Sequence, residues 1–149
     1  MSTSLLYHAF GIPTGYQHQS TRFERGEIVF TIAYVRKHRC PCCRSRSTTR
    51  RGTQRRRYRT VPIGRKRCFI ELDVQRVACQ NCGQIRFALP SFAPVQCRYT
   101  NAFKRLVLSL SSSMTIKALA GYLGVGWDLV KSIQKNTWRS AIVCRALNH

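Results

Sequence analysis

The sequence predicts an α+β fold, in which a β-rich region comes first and a helical region follows. Alternating apolar and polar residues around two Cys-x-x-Cys pairs indicate the β-rich part, and apolar residues at helical spacing after residue 100 indicate the helical part. A hydrophobic fraction of 44% in 149 residues can fill modest cores. We expect a β-hairpin segment over residues 1–36, a four-cysteine domain over 37–92, a helical domain over 98–140 and a tail over 141–149.

The charge of the chain indicates a polyanionic partner. There are 26 lysines and arginines against 5 acidic residues, which gives a net charge of +21. This excess is larger than solubility requires, and it favours nucleic acid as the partner. No long apolar span, basic amphipathic helix or secretory signal is evident. We therefore expect a cytoplasmic, nucleoid-associated protein that does not bind membranes.

Two stretches near the N-terminus, residues 16–23 and 27–35, have the composition of strands. Arg25-Gly26 lies between them at the position of a turn, so the sequence predicts a β-hairpin. The second stretch has alternating apolar residues that share one face: Ile28, Phe30, Ile32 and Tyr34.

Two cysteine pairs have the spacing of metal-binding turns. Within each pair two residues separate the cysteines, and residues 68–75 between the pairs alternate like a half-buried strand. A redox pair would precede a helix, and neither pair does. We predict a zinc ribbon in which one structural Zn²⁺ supplies folding free energy to a small domain. Its ligands are Cys40, Cys43, Cys79 and Cys82.

The other four cysteines lack partners at ligand spacing and are expected to be small apolar residues: Cys42, Cys68, Cys97 and Cys144. Cys42 remains open as a substitute metal ligand. His38 is a possible competitor, although an isolated histidine in a basic loop is typical of a solvated side chain.

Residues 36–67 form the most basic part of the chain, with fourteen lysines and arginines and no acid. Arginine predominates, and its planar guanidinium suits phosphate and guanine. An ordinary solvated face is the alternative, but a run of like charges without acids repels itself unless a partner binds it. We predict DNA contacts from Arg55, Arg56, Arg57, Arg59, Arg65, Lys66 and Arg67.

The region after Pro90 and Pro94 predicts helices. Thr100 suits the N-cap of a helix that carries Phe103 and Val107 at helical spacing. Residues 115–133 then have the pattern of a helix-turn-helix, with Ala120 where the helices cross and Gly124 in the turn. The inner faces contain Leu119, Leu123, Val125, Val130 and Ile133.

The outer face of the second helix is the predicted DNA-reading surface. We expect contacts from Trp127, Lys131, Ser132 and Lys135. An ordinary helical hairpin is the alternative, and Trp127 also fits a partly buried position.

In combination, these motifs resemble the N-terminal part of the insertion-sequence L-three family of bacterial transposases. The resemblance rests on residues 4–11, the two cysteine pairs, residues 59–66 and residues 114–131. It implies a zinc ribbon and a helix-turn-helix that bind the terminal inverted repeats of the element, ahead of a DDE catalytic domain. Two departures are Arg44, where a glycine is common after the second cysteine, and Gly126, where a serine is a better helix cap.

The sequence does not predict an enzyme. Two-metal phosphoryl transfer needs clustered carboxylates, and the five acids are dispersed along the chain: Glu24, Glu27, Glu71, Asp73 and Asp128. We expect a truncated, DNA-binding portion of a transposase, whose partners are double-stranded DNA and either the full-length transposase or a second copy. The alternatives are an RNA-binding or ribosome-associated zinc-ribbon protein, a regulator of transposition or transcription, and a strand-transfer enzyme.

Overall fold

The structure, a computed structural model, describes residues 3–146 and the side chains of residues 4–139. The order of elements confirms the α+β fold. The chain divides into two compact units, one up to Ala102 and one from Phe103 onward. In the part of the chain that the structure describes, no helix is both long enough and apolar enough to cross a membrane.

A short helix and a five-stranded mixed sheet make up the first unit. The strand order is β1-β2-β4-β3, and the short strand β5 also pairs with β4. The elements are α1 (Thr3–Phe10), β1 (Tyr16–Glu24), β2 (Glu27–Tyr34), β3 (Thr48–Ile63), β4 (Lys66–Cys79) and β5 (Ile85–Phe87).

Strand pairing joins the two predicted β regions into one sheet. The β1–β2 hairpin turns at Arg25 and Gly26, which both have positive φ, and its position agrees with the sequence prediction. Strand β4 pairs antiparallel with β3 and parallel with β2. The expected domain boundary at residue 36 therefore falls inside a single compact unit.

One face of this sheet is the core. Ile28, Phe30 and Ile32 of β2 are buried there with alternate residues of β4, as the alternation predicts. Helix α1, which the sequence did not predict, contributes Leu6 and Phe10 to the same cluster. The cysteine-flanked strands thus share a larger core than the predicted ribbon has alone.

Charged residues cover the opposite face of the sheet, which we call the outer face. Register aligns the odd-numbered residues of β3 with those of β4: Arg55 with Asp73, Arg57 with Glu71 and Arg59 with Phe69. Because side chains alternate across a strand, Arg55, Arg57 and Arg59 lie on one face of β3, opposite two carboxylates and an aromatic ring of β4.

Three helices make up the second unit: α2 (Asn101–Leu110), α3 (Ile116–Leu123) and α4 (Trp127–Ala146). Thr115 caps α3 by accepting a hydrogen bond from the backbone N–H of Ala118, and α3 ends at Gly124, whose φ is 63°. Helix α4 continues past residue 140, where the helical domain was expected to end. Residues 147–149 of the expected tail and the side chain of Cys144 lie outside the described residues.

The interior of the helix-turn-helix agrees with the sequence prediction. Leu119, Ala120 and Leu123 of α3 are buried, as are Val130 and Ile133 of α4. Val125, in the turn, is half-buried. These apolar side chains fix α3 and α4 as a pair and leave the other side of α4 to solvent.

Candidate metal centre and nucleic-acid surfaces

The two cysteine pairs form turns with matching backbone hydrogen bonds. In the first turn, the N–H of Cys40 donates to the carbonyl of Ser45 and the N–H of Arg44 donates to that of Cys40. In the second, the N–H of Cys79 donates to Gln84 and that of Gly83 donates to Cys79. We call these turns, residues 40–45 and 79–84, the two knuckles.

The knuckles place four sulfur atoms in one cluster. The Sγ atoms of Cys40, Cys43, Cys79 and Cys82 all lie within 4.8 Å of one another. The Cys40–Cys82 distance is 3.6 Å and the Cys43–Cys79 distance is 3.5 Å. Four sulfurs about 2.3 Å from a tetrahedral zinc ion are about 3.8 Å apart, so the cluster has the dimensions of a metal-binding site.

Hydrogen bonds to sulfur favour the thiolate form in this cluster. The backbone N–H of Cys42 donates to Cys40 Sγ, and that of Asn81 donates to Cys79 Sγ. A hydrogen bond from the backbone of Ser45 and another from the Asn81 side chain lower the pKa of Cys43 to about 6. A thiolate at this position is therefore stable at neutral pH, as metal ligation requires.

The pKa of Cys82 is shifted in the opposite direction to that of Cys43. The backbone N–H of Gln84 lowers its pKa, but burial and the hydrogen bonds with the three neighbouring thiols outweigh that effect and raise the pKa to about 12. Four thiolates in such proximity ionise together only when a cation balances them.

The other described cysteines lie apart from this cluster. Cys68 is fully buried in the core, and burial raises its pKa, so it behaves as the small apolar residue that the sequence predicts. Cys42 is exposed on the first knuckle, and Cys97 donates a hydrogen bond to the Tyr99 hydroxyl. The ring of His38 stacks on Tyr34 at 4.4 Å, so His38 is not the freely solvated side chain expected from the sequence.

Several arginines predicted to contact DNA are paired with carboxylates. Arg55 Nε lies 3.0 Å from Asp73, and Arg57 and Arg67 lie 2.9 Å and 3.1 Å from the two oxygens of Glu27. Arg57 also lies over the Phe69 ring at 4.1 Å. These pairs reduce the charge that the outer face presents to a polyanion.

The remaining predicted residues of the first unit have different surroundings. Arg59 is only 6% exposed, and burial lowers its pKa, so its guanidinium is poorly placed for a phosphate contact. Arg56 is half-buried, with its guanidinium over the Phe87 ring and bonded to Gln54. Arg65 and Lys66 are exposed at the β3–β4 turn.

The second helix of the helix-turn-helix presents the predicted surface to solvent. Trp127, Lys131, Ser132 and Lys135 are all exposed. Lys131 Nζ lies 4.5 Å from the centre of the Trp127 ring, a cation–π contact that orients both side chains. Trp127 is 50% exposed, which makes its ring available to a partner.

A group of basic residues next to the first knuckle lies in the predicted basic stretch but was not among the DNA contacts singled out there. Arg36, Lys37, Arg39, Arg46 and Arg50 all lie there. They belong to the same acid-free stretch as the predicted arginines. The sequence alone did not distinguish these residues from the arginines of β3. The difference arises in the fold, because Asp73 of β4 pairs with Arg55 and Glu27 of β2 pairs with Arg57.

Comparisons with known proteins agree with this geometry. Residues 88–138 match a family model described as the helix-turn-helix domain of transposase family ISL3, and residues 36–82 match the zinc-finger of transposase IS204/IS1001/IS1096/IS1165. The transposase for insertion sequence element IS1001 from Bordetella parapertussis is 26% identical over 103 residues, which are 69% of this chain and 25% of that relative. This chain thus spans about a quarter of the relative's length. No solved structure matches significantly.

Proposed function

Because this chain belongs to the N-terminal region of the ISL3 transposase family, we propose that it binds the terminal inverted repeats of an insertion sequence as duplex DNA. The observation that supports this most directly is the exposed polar side of α4, opposite the buried Val130 and Ile133. A helix held in this way can enter a major groove and place Lys131 and Ser132 at base edges.

We propose that α4 contacts base edges and determines sequence preference, whereas the first unit contacts phosphates. The variant Lys131→Ala/Ser132→Ala should reduce the preference for element-end over scrambled DNA, by roughly 1–3 kcal/mol per lost base contact. Arg65→Ala/Lys66→Ala is a matched control that removes two basic side chains outside α4. This control should lower the affinity for the element-end duplex and the scrambled duplex by the same factor. Binding titrations on both duplexes measure these effects, and an equal loss for both in the α4 variant would contradict the assignment.

We propose that the four-sulfur cluster binds one structural Zn²⁺. Four thiolates suit zinc and leave no open coordination position, so the ion would hold the knuckles together and take no part in chemistry. Cys79→Ser should lose the metal, whereas Cys42→Ser should retain one zinc per chain because Cys42 lies outside the cluster. Elemental analysis of both purified variants tests this, and zinc retained by Cys79→Ser would refute it.

We also propose that this chain alone does not cleave or join DNA. In the described residues of the first unit, the acids Glu24, Glu27, Glu71 and Asp73 all have arginine partners within 3.1 Å. Carboxylates held by arginines are poorly suited to bind Mg²⁺. Incubation of element-end DNA with the chain and Mg²⁺ or Mn²⁺ is the test, and cleavage that Glu71→Ala abolishes would overturn the proposal.

The proposed setting is the bacterial cytoplasm, with the chain on nucleoid DNA. A second copy or a full-length transposase is the proposed protein partner. Size-exclusion chromatography of the chain with an element-end duplex would show whether two chains occupy one complex.

A further inference from the structure

A depression next to the first knuckle has the features of an anion-binding site. Its volume is about 520 Å³, and it lies between the end of β2 and the first knuckle. We call it the basic cleft, defined by the residues that line it: Tyr34, Arg36, Lys37, His38, Arg39 and Arg46. An adjoining depression of about 200 Å³ shares three of these residues and adds Arg50.

The charge of the basic cleft is uncompensated, unlike that of the outer face. None of the residues lining it is acidic. A larger depression of about 630 Å³ on the outer face also contains arginines, but Glu24 and Glu27 line it as well. Glu27 there is bonded to both Arg57 and Arg67. Size alone would favour the larger depression, whereas charge favours the basic cleft for a polyanion.

The backbone that carries these cations is held at several points. The His38 ring stacks on Tyr34 with an angle of 24° between the planes. Thr48 Oγ1 donates a hydrogen bond of 2.8 Å to the carbonyl of His38, and the Val35 N–H donates to Gly15. The first knuckle follows directly at Cys40. A loop fixed in this way loses little backbone entropy on binding.

We propose that the basic cleft holds the phosphate backbone of duplex DNA and is the main non-specific DNA contact of the first unit. This rests on the proposed function and deepens it by moving the phosphate contacts from the paired arginines of β3 and β4 to the residues on either side of the first knuckle. Guanidinium and ammonium groups around one cleft suit the phosphodiesters of adjacent nucleotides.

The test compares two double variants that each remove two arginines. Arg36→Gln/Arg46→Gln removes charge from the cleft, and Arg55→Gln/Arg67→Gln removes charge from the carboxylate-paired outer face. Binding of a random-sequence duplex is measured at several chloride concentrations. We expect the log–log slope to fall by roughly 1.8 in the cleft variant, at about 0.9 per lost phosphate contact, and by well under half of that in the control.

A second cleft variant, Lys37→Gln/Arg39→Gln, removes two other cations of the same cleft. It shows whether a loss of slope comes from the lost charge or from a local folding defect in the first variant. All three variants are compared at equal zinc content and with thermal unfolding like that of the unmodified chain. A slope loss in the second cleft variant as well supports the proposal. An equal loss of slope in the outer-face control, or an unchanged slope in both cleft variants, overturns the assignment to the basic cleft. Neither result contradicts the proposal that the chain binds DNA.

Two further experiments distinguish duplex DNA from inorganic phosphate and from RNA as the ligand of the basic cleft. If inorganic phosphate displaces the duplex far better than chloride at the same ionic strength, the cleft is a small-anion site and the proposal fails. Tighter binding of an RNA hairpin than of a DNA duplex of equal length, lost in the cleft variants, also refutes it. Failure of the unmodified chain to bind any duplex would refute the proposed function itself, and this inference with it.

Discussion

Arg55, Arg56 and Arg57 are consecutive in the sequence, but the pleat of β3 gives each a different neighbour. Arg55 is paired with Asp73 and Arg57 with Glu27, whereas Arg56 points to the other face and lies over Phe87. A run of like charges therefore divides into paired and aromatic-stacked side chains once strand register is known. The charge of a segment does not by itself say which residues meet a polyanion.

The two carboxylates of β4 should differ in their importance for stability. Glu71 is buried and bonded to Arg22 at 2.8 Å, whereas Asp73 and its partner Arg55 are more than half exposed. We expect Glu71→Gln to lower the free energy of unfolding by roughly 1–2 kcal/mol, since the buried carboxylate that accepts from Arg22 is replaced by a neutral amide. Asp73→Asn is the matched control and should have little effect, because exposed pairs contribute little. Urea denaturation measures both, and equal losses would contradict this account.

Arg44 occupies a backbone conformation that favours glycine. Its φ is 59°, and Gly83 has a φ of 69° at the equivalent position of the second knuckle. Replacing Arg44 by Gly should stabilise the first knuckle by about 1 kcal/mol, because a side chain at positive φ is strained. Competition with a chromophoric chelator would detect the change as slower zinc loss. Gly83→Ala is the converse variant and should release zinc faster; unchanged rates in both would show that the strain is relieved elsewhere.

At the level of elements, the knuckles close the open end of the long β3–β4 hairpin. Thr48, at the start of β3, lies opposite Cys79, at the end of β4, while the hairpin turn is at the far end near Gly64. A metal ion bound by the four sulfurs would hold together the strand ends that lie farthest from this turn. The irregularity between Arg50 and Thr53 lies near this end, where β3 is exposed.

The turn of the helix-turn-helix and the helix before it contain two glycines that should respond oppositely to substitution. Gly124 ends α3 in the left-handed conformation, and its N–H donates to the carbonyl of Ala120. Gly124→Ala should destabilise the second unit by about 1 kcal/mol. Gly121 lies inside α3, and an added Cβ there would meet open space, so Gly121→Ala should stabilise it by about 0.5–1 kcal/mol. Thermal unfolding followed by helical circular dichroism compares them, and shifts of the same sign would refute this assignment.

Elements with a local pattern could be predicted, and those that depend on distant partners could not. The alternation in residues 68–75 predicted β4, and the apolar spacing around Leu119 and Ile133 predicted the helix-turn-helix. Helix α1 was missed because its eight residues carry only two core side chains, Leu6 and Phe10. The pairing of Glu27 with Arg57 and Arg67 follows from neighbouring strands and is not readable from residue spacing.

For the whole molecule, the relevant feature is the division into two compact units. The four-sulfur cluster lies within the first unit, and the buried apolar side chains of α3 and α4 lie within the second. Each unit has buried apolar side chains of its own, so we expect the stability of the second unit not to depend on a metal bound in the first. In the first, the shared core of α1 and the sheet is larger than a ribbon alone would have.

Metal removal should therefore affect the chain unevenly. After treatment with a chelator, amides at the knuckle end, such as those of Cys40 and Cys79, should exchange with solvent much faster, because the strand ends separate. Amides in the core strands, near Phe30 of β2 and Ile70 of β4, should change less, and those of α3 should not change. Hydrogen exchange with mass spectrometry measures this pattern. Uniform acceleration across both units would contradict it, and unchanged knuckle amides would mean that the metal has no structural role.

The parallel pairing of β2 with β4 also determines when the chain can fold during its synthesis. Strand β2 is made early, but its neighbour in the sheet, residues 67–72, is made only after the whole of β3. Until then, the nascent β1–β2 hairpin has an unpaired edge along Ile28, Phe30 and Ile32. Contacts between residues so distant in sequence slow folding, and the second knuckle emerges later still. Ribosome-bound chains that end before β4 should therefore depend on chaperones, and chains that extend past Ala102, the end of the first unit, should not.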